Sequence, residues 1–146
     1  GETIRSTALG ILTEEKTDSN LVKLKELAVY GVAPYNLRGS IFSRISNYRE
    51  DNPDLIDYFA EHINDPHRWV RWTCANQIIR HGNIDQFSEF LEMADGEPLL
   101  GGKIADIYSA LDKRLAKLKK SKDRKEAKEV EKMQKMAILL GFWPVL

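Results

Sequence analysis

The chain has 146 residues, 42% of them hydrophobic and 30% charged, with 22 Lys/Arg balanced by 22 Asp/Glu. This is the composition of one soluble globular domain, and the zero net charge argues against non-specific attraction to nucleic acid or anionic membranes. A single cysteine, Cys74, excludes an internal disulfide and fits a reducing compartment such as the cytoplasm, and the longest apolar run, Met136–Leu140, is too short to cross a bilayer.

The elements read as helices throughout. Ile4, Ala8, Ile11 and Leu12 form a helical apolar stripe over residues 3–13. No polar capping unit precedes it, as the end of a solenoid would need, so the chain is expected to be a fragment of a longer protein. After the polar turn Thr13–Ser19, a helix over about 20–30 places Leu21, Leu24, Leu27 and Ala28 on one face. Pro34 opens the next, which ends near Tyr48; Pro53 opens its partner over about 53–64. Asp65-Pro66 reads as a cap and a first-turn proline. That helix is predicted to stop at His81-Gly82, with the glycine supplying a left-handed residue. Asn83 and Gln86 have the spacing of a reciprocal cap for a helix running to about Ala94, and Asp95-Gly96-Glu97-Pro98 breaks the pattern. A long helix from near Leu99 carries Ile104, Ile107, Leu111, Leu115 and Leu118. A lysine-rich turn at Ser121 leads to the last helix, about 123–140, which is ended by Gly141. The apolar tail Phe142-Trp143-Pro144-Val145-Leu146 must be covered by this domain or by a partner. No alternating strand pattern competes.

A period of 33 runs through these elements. Ile4-Arg5, Leu37-Arg38 and Val70-Arg71 are in step; so are Ala8, Ile41, Cys74 and Ile107, and so are Leu12, Ile45, Ile78 and Leu111. Such a period is the mark of stacked two-helix units. Within it, Asp65-Pro66-His67-Arg68-Trp69-Val70-Arg71-Trp72-Thr73-Cys74-Ala75 resembles the first helix of a HEAT-type repeat, with Leu37-Arg38-Gly39-Ser40 and Ile4-Arg5-Ser6-Thr7-Ala8 as weaker copies. The likeness covers about residues 3–95 and fades after Lys103. The 33-residue spacing is shared by ankyrin repeats, but their Thr-Pro-Leu-His stretch is missing, as is the pattern of tetratricopeptide repeats. The resemblance implies an all-α fold: a right-handed α-α superhelix of about three HEAT-like pairs (3–31, 34–64 and 65–95) followed by a C-terminal helical hairpin (98–146). It also implies pairing of Arg38 and Arg71 with inter-helix acids, for which Asp18 and Asp51 are the candidates.

Catalytic signals are missing. His62 and His67 are five apart across the Asp65-Pro66 break, and Gly101-Gly102 lacks the remainder of a phosphate-binding loop. The three histidines read as exposed loop residues. Cys74 shares the phase of Ala8 and Ile41 and reads as buried packing. No catalytic, metal or cofactor-binding residue is assigned, and no cofactor is called for within the segment. Binding character is confined to two places, the Arg68-Trp69-x-Arg71-Trp72 stretch and Phe142-Trp143, because Trp and Arg are the usual anchors of interfaces. Residues 113–146 hold 11 Lys/Arg against 4 Asp/Glu; within them the basic stretch Lys113 to Lys128 offers contact to acidic partners or phosphates, but Glu126, Glu129 and Glu131 interleave with its end, so a solvated helical-hairpin face is expected. The expected function is a non-catalytic interaction or scaffolding module, its partner a protein or another domain of the same polypeptide. The alternative is the HEAT-like C-terminal domain of a zinc aminopeptidase, which helps enclose a substrate chamber and whose catalytic motif would lie upstream. A HEAT-like DNA-repair protein is the weakest reading, since Glu26, Asp57, Glu61, Glu89 and Glu92 make the expected groove acidic.

Overall fold

The computed structural model describes residues 15–29, 31–94 and 107–139, the Tyr108 side chain excepted. The chain is all-α: seven helices and no strand occur among the described residues. They are α1 (Asp18–Leu27), α2 (Tyr35–Ser46), α3 (Leu55–Glu61), α4 (Arg68–His81), α5 (Ile84–Ala94), α6 (Ile107–Ser121) and α7 (Arg124–Leu139). The predicted helix over 3–13 with Leu12, the start of the long helix with Ile104, and the Phe142-Trp143 tail lie outside the described residues. None of the described helices is long and apolar enough to cross a membrane. The chain divides into two compact units, Gly1–Cys74 and Ala75–Leu146, with the boundary inside α4.

In the first unit, Thr17 caps α1 by accepting the Asn20 amide on Oγ1 at 3.1 Å. Helix α1 buries Leu21 and Leu24 against α2, which buries Arg38, Ile41, Phe42 and Ile45. The link between them turns at Gly31, whose φ of 89° is costly for any side-chain-bearing residue. Helix α3 contributes Leu55 and Phe59 to the same core. Beside that core, the Phe42 ring stacks on Tyr58 (5.7 Å between centroids), His62 meets Phe42 edge-on at 5.2 Å, and the Lys25 ammonium lies 4.9 Å from the Tyr58 ring centre. Burial pushes the Tyr58 hydroxyl up to about 12.

In the second unit, Asn83 and Gln86 form the reciprocal cap expected from their spacing. The Gln86 amide donates to Asn83 Oδ1 at 2.8 Å and the Asn83 amide donates to Gln86 Oε1 at 2.9 Å. Helix α5 buries Phe87, Phe90, Leu91 and Ala94; α6 buries Ile107, Leu111 and Leu115; α7 buries Ala127, Val130, Met133 and Ala137. The α6–α7 turn passes through Lys122 at φ 61°, and Asp123 then caps α7 by accepting the Glu126 amide at 3.1 Å. Gly82 does not serve as the predicted left-handed stop, for the one glycine with positive φ among the described residues is Gly31. Its requirement is steric: a Cβ at Gly82 would lie 2.6 Å from the Ile78 carbonyl oxygen.

The 33-residue phase marks buried positions in its two apolar sets and at Val70, whereas Leu37 and Arg71 are only half-buried. Ile41, Cys74 and Ile107 are buried, as are Ile45, Ile78 and Leu111. Arginine does a similar job in both units. In the first, Arg38 donates from Nε and Nη2 to the carbonyl of Ala28, the C-cap residue of α1, at 3.1 and 2.9 Å. In the second, Arg114 donates to the carbonyls of Ile79 and Gly82 at the end of α4, at 3.1 and 2.8 Å, and pairs with Glu126 at 3.1 Å. Each cation sits where a helix leaves carbonyls unsatisfied and its dipole is negative.

Candidate interaction surface

The start of α4 is set by residues 65–67. Asp65 Oδ1 accepts the His67 amide at 2.9 Å, closing a local turn that delays the helix. His67 Nδ1 then accepts the Trp69 amide at 3.1 Å and takes the capping role that the sequence assigned to Asp65. The helix therefore opens at Arg68, later than the Pro66 position predicted. His67 is not an exposed loop residue, being 3% exposed. Because its Nδ1 accepts, its proton is assigned to Nε2. Burial and the nearby Arg38 charge hold it below the ordinary histidine value, which keeps the ring neutral and able to cap. His62 is half-buried in the aromatic cluster and shifted down by its burial; His81 alone of the three is exposed, and it lies on the last turn of α4.

Asp65 also anchors α2. The Arg38 guanidinium, 1% exposed, grips the Asp65 carboxylate with both nitrogens, Nη1 on Oδ1 and Nη2 on Oδ2 at 2.7 Å. Burial alone would raise the Asp65 carboxyl, but the Arg38 hydrogen bonds and charge and the His67 amide outweigh it and hold it below the usual range. The arginine thus pairs with the acid that opens the next predicted unit, and the candidate acids Asp18 and Asp51 are exposed. Arg71 turns back from the surface, with Nη1 donating to the carbonyls of Asp65 and Pro66 at 2.8 and 3.1 Å.

Above this base lie the two tryptophans. Gly39 lets α4 approach α2 closely, since a Cβ at 39 would stand 2.7 Å from Trp69 Cβ. The Trp69 ring projects outward and is 50% exposed. Trp72, half-buried, meets it edge-on at 6.0 Å and 83°, and the Arg68 guanidinium lies 5.4 Å from the Trp69 ring centre. Tyr35, also exposed, packs against His67 with the ring centroids 4.2 Å apart and the planes tilted by 33°. The sequence-predicted residues therefore divide. Arg68, Trp69 and Trp72 form one aromatic and cationic patch, Arg71 is drawn into the loop beneath it, and Phe142 and Trp143 fall outside the described residues.

Spacing gives no binding role to Tyr35 or Gly39, and it reads Asp65 only as a helix cap and His67 only as an exposed loop residue. A signal existed for Gly39: an isolated glycine inside a helical stretch usually marks a close packing contact. Nothing in the spacing pointed to Tyr35.

No reactive group stands out among the described residues. Burial and the Asp65 charge push the Cys74 thiol far up, which keeps it protonated and inert. No group of three or more His, Cys, Asp or Glu there is placed to hold a metal ion. Comparison of the chain with protein-family models, with curated proteins and with solved structures gives no match.

Proposed function

We propose that the chain is a protein-interaction module built from HEAT-like helix pairs, binding through the Trp69 surface. The observation that carries this reading is a large aromatic ring left half in water on a base that is rigidly held. Exposing Trp69 forgoes burial worth roughly 1.5–3 kcal/mol for a large apolar side chain. The residues beneath it are fixed by the Arg38–Asp65 pair, the His67 cap and the Gly39 contact. A preorganised aromatic flanked by arginine is the composition of an interface anchor, and its rigidity lowers the ordering cost of binding. The repeat reading is supported by the burial of Ile41, Cys74 and Ile107 in one phase and of Ile45, Ile78 and Leu111 in another.

The test is affinity capture from cell extract, followed by titration of each purified captured protein against the wild type and against Trp69→Ala/Trp72→Ala. The variant should retain its helical circular dichroism and lose about 2 kcal/mol or more of binding, roughly 30-fold in Kd. Equal affinity of the variant for every captured protein refutes the assignment.

A further inference from the structure

The α6–α7 hairpin was expected to be a face on which Glu126, Glu129 and Glu131 offset the lysines. Two of these acids are engaged within the fold, although Glu129 also stays in the lining of a surface groove. Glu126 pairs with Arg114, and Glu129 Oε1 accepts the Ile84 amide at 2.8 Å, tying the start of α5 to α7. Asp123 is occupied as the cap of α7. What remains is a groove lined by Arg124, Lys125, Lys128, Lys132, Glu129 and Ile84. Arg124, Lys128 and Lys132 are at successive i, i+4 positions and form one cationic row about 12 Å long. Glu131 is exposed but does not line the groove.

We infer that this groove docks an acidic α-helical segment of a partner protein, with carboxylates at i, i+4 spacing and an aliphatic side chain over Ile84. Charge complementarity sets the sign of the partner, and the spacing of the row matches carboxylates on a facing helix. The choice of peptide over nucleic acid follows from the donors present. Lysine and arginine charges attract phosphates as well as carboxylates, but a built phosphate site adds free amides at a helix N-terminus, bidentate arginines or aromatic stacking. Here three amides at the start of α5 are taken, Asn83 by Gln86, Gln86 by Asn83 and Ile84 by Glu129. The groove's cations are three lysines and one arginine, and its lining holds no aromatic ring. Ile84 is useless to a phosphate chain and useful to an aliphatic side chain. This surface is independent of the Trp69 patch.

The experiment is fluorescence anisotropy of the whole chain with a labelled 20-residue helical peptide bearing Glu at every i, i+4 position of one face and a central Leu. A single-stranded and a duplex oligonucleotide of similar charge are titrated alongside. The peptide should bind in the micromolar range. Lys125→Glu/Lys128→Glu/Lys132→Glu should weaken it at least about tenfold, whereas Lys113→Glu/Lys117→Glu/Lys120→Glu, with the same change in net charge on α6, should stay within about threefold. Replacing the peptide's Leu by Ser should cost a further severalfold. Equal losses for the two triple variants, no binding at 100 µM peptide, or tighter binding of either oligonucleotide would overturn the proposal.

Discussion

Replacing Asp65 by Asn tests how much of the first unit depends on the Arg38 pair. The substitution keeps the size of the side chain and keeps an oxygen to accept the His67 amide, so the turn before α4 can survive. What it removes is the charge facing a guanidinium that is 1% exposed, and it turns an NH₂ donor toward the cation. Breaking a buried ion pair from one side typically costs about 3–5 kcal/mol, because the remaining charge is stranded. An exposed pair would lose at most about 1 kcal/mol. The low exposure of both partners places this pair in the first class. Urea denaturation followed by far-ultraviolet circular dichroism at pH 7 reads the loss as a fall in the midpoint with an unchanged slope. Removing both charges, as Arg38→Met/Asp65→Leu, should lie closer to wild type than Asp65→Asn does, since no ion is left unpaired. A loss under about 1 kcal/mol for Asp65→Asn, or a double variant that is simply the sum of its singles, would refute the assignment.

Four further outcomes follow from the same geometry. Because the folded Asp65 carboxyl lies below its unfolded value, the unfolded chain binds the proton first; the stabilisation is complete above about pH 4 and is lost as pH falls through the folded value, and Asp65→Asn should flatten that acid limb. His67 is also shifted down, so its contribution is complete above about pH 6.5 and declines below it; His67→Asn keeps a cap acceptor and should remove part of the slope between pH 7 and 5 in the same titrations. Gly39→Ala should destabilise by about 1–3 kcal/mol in urea through the 2.7 Å approach to Trp69 Cβ, where an open helical glycine would gain about 0.5–1 kcal/mol from alanine. Ile78→Ala, at a fully buried position of the repeat phase, should cost about 2–5 kcal/mol by thermal or urea unfolding, and a loss near zero would dissociate the period from packing.

The helical content was legible because each element announced itself locally. Asn83 and Gln86 specify a cap within four residues, and the recurrence of Ile45, Ile78 and Leu111 declares burial without any knowledge of what covers them. The site was legible only in part, because its decisive contacts join residues far apart in the chain. The resemblance implies a structural ion pair for Arg38, yet the candidate partners that it offers, Asp18 and Asp51, are acids 33 residues apart. The acid that it holds is Asp65, 27 residues on and already assigned as a helix cap. Chain spacing ranks candidate partners, but burial decides among them: a carboxylate whose charge is to be retained in the interior must meet a guanidinium there, and Asp18 and Asp51 stay in water. The same reasoning reverses the reading of the basic hairpin. Counting Glu126 and Glu129 as surface charge assumed that acids between lysines face outward with them. A helix turns about 100° per residue, so neighbours in sequence need not share a face. The two acids are engaged by Arg114 and by the Ile84 amide, Glu126 while partly exposed and Glu129 within the groove lining. The row Arg124, Lys128, Lys132 keeps its charge because four-residue spacing returns to one side of α7, the side that lines the groove.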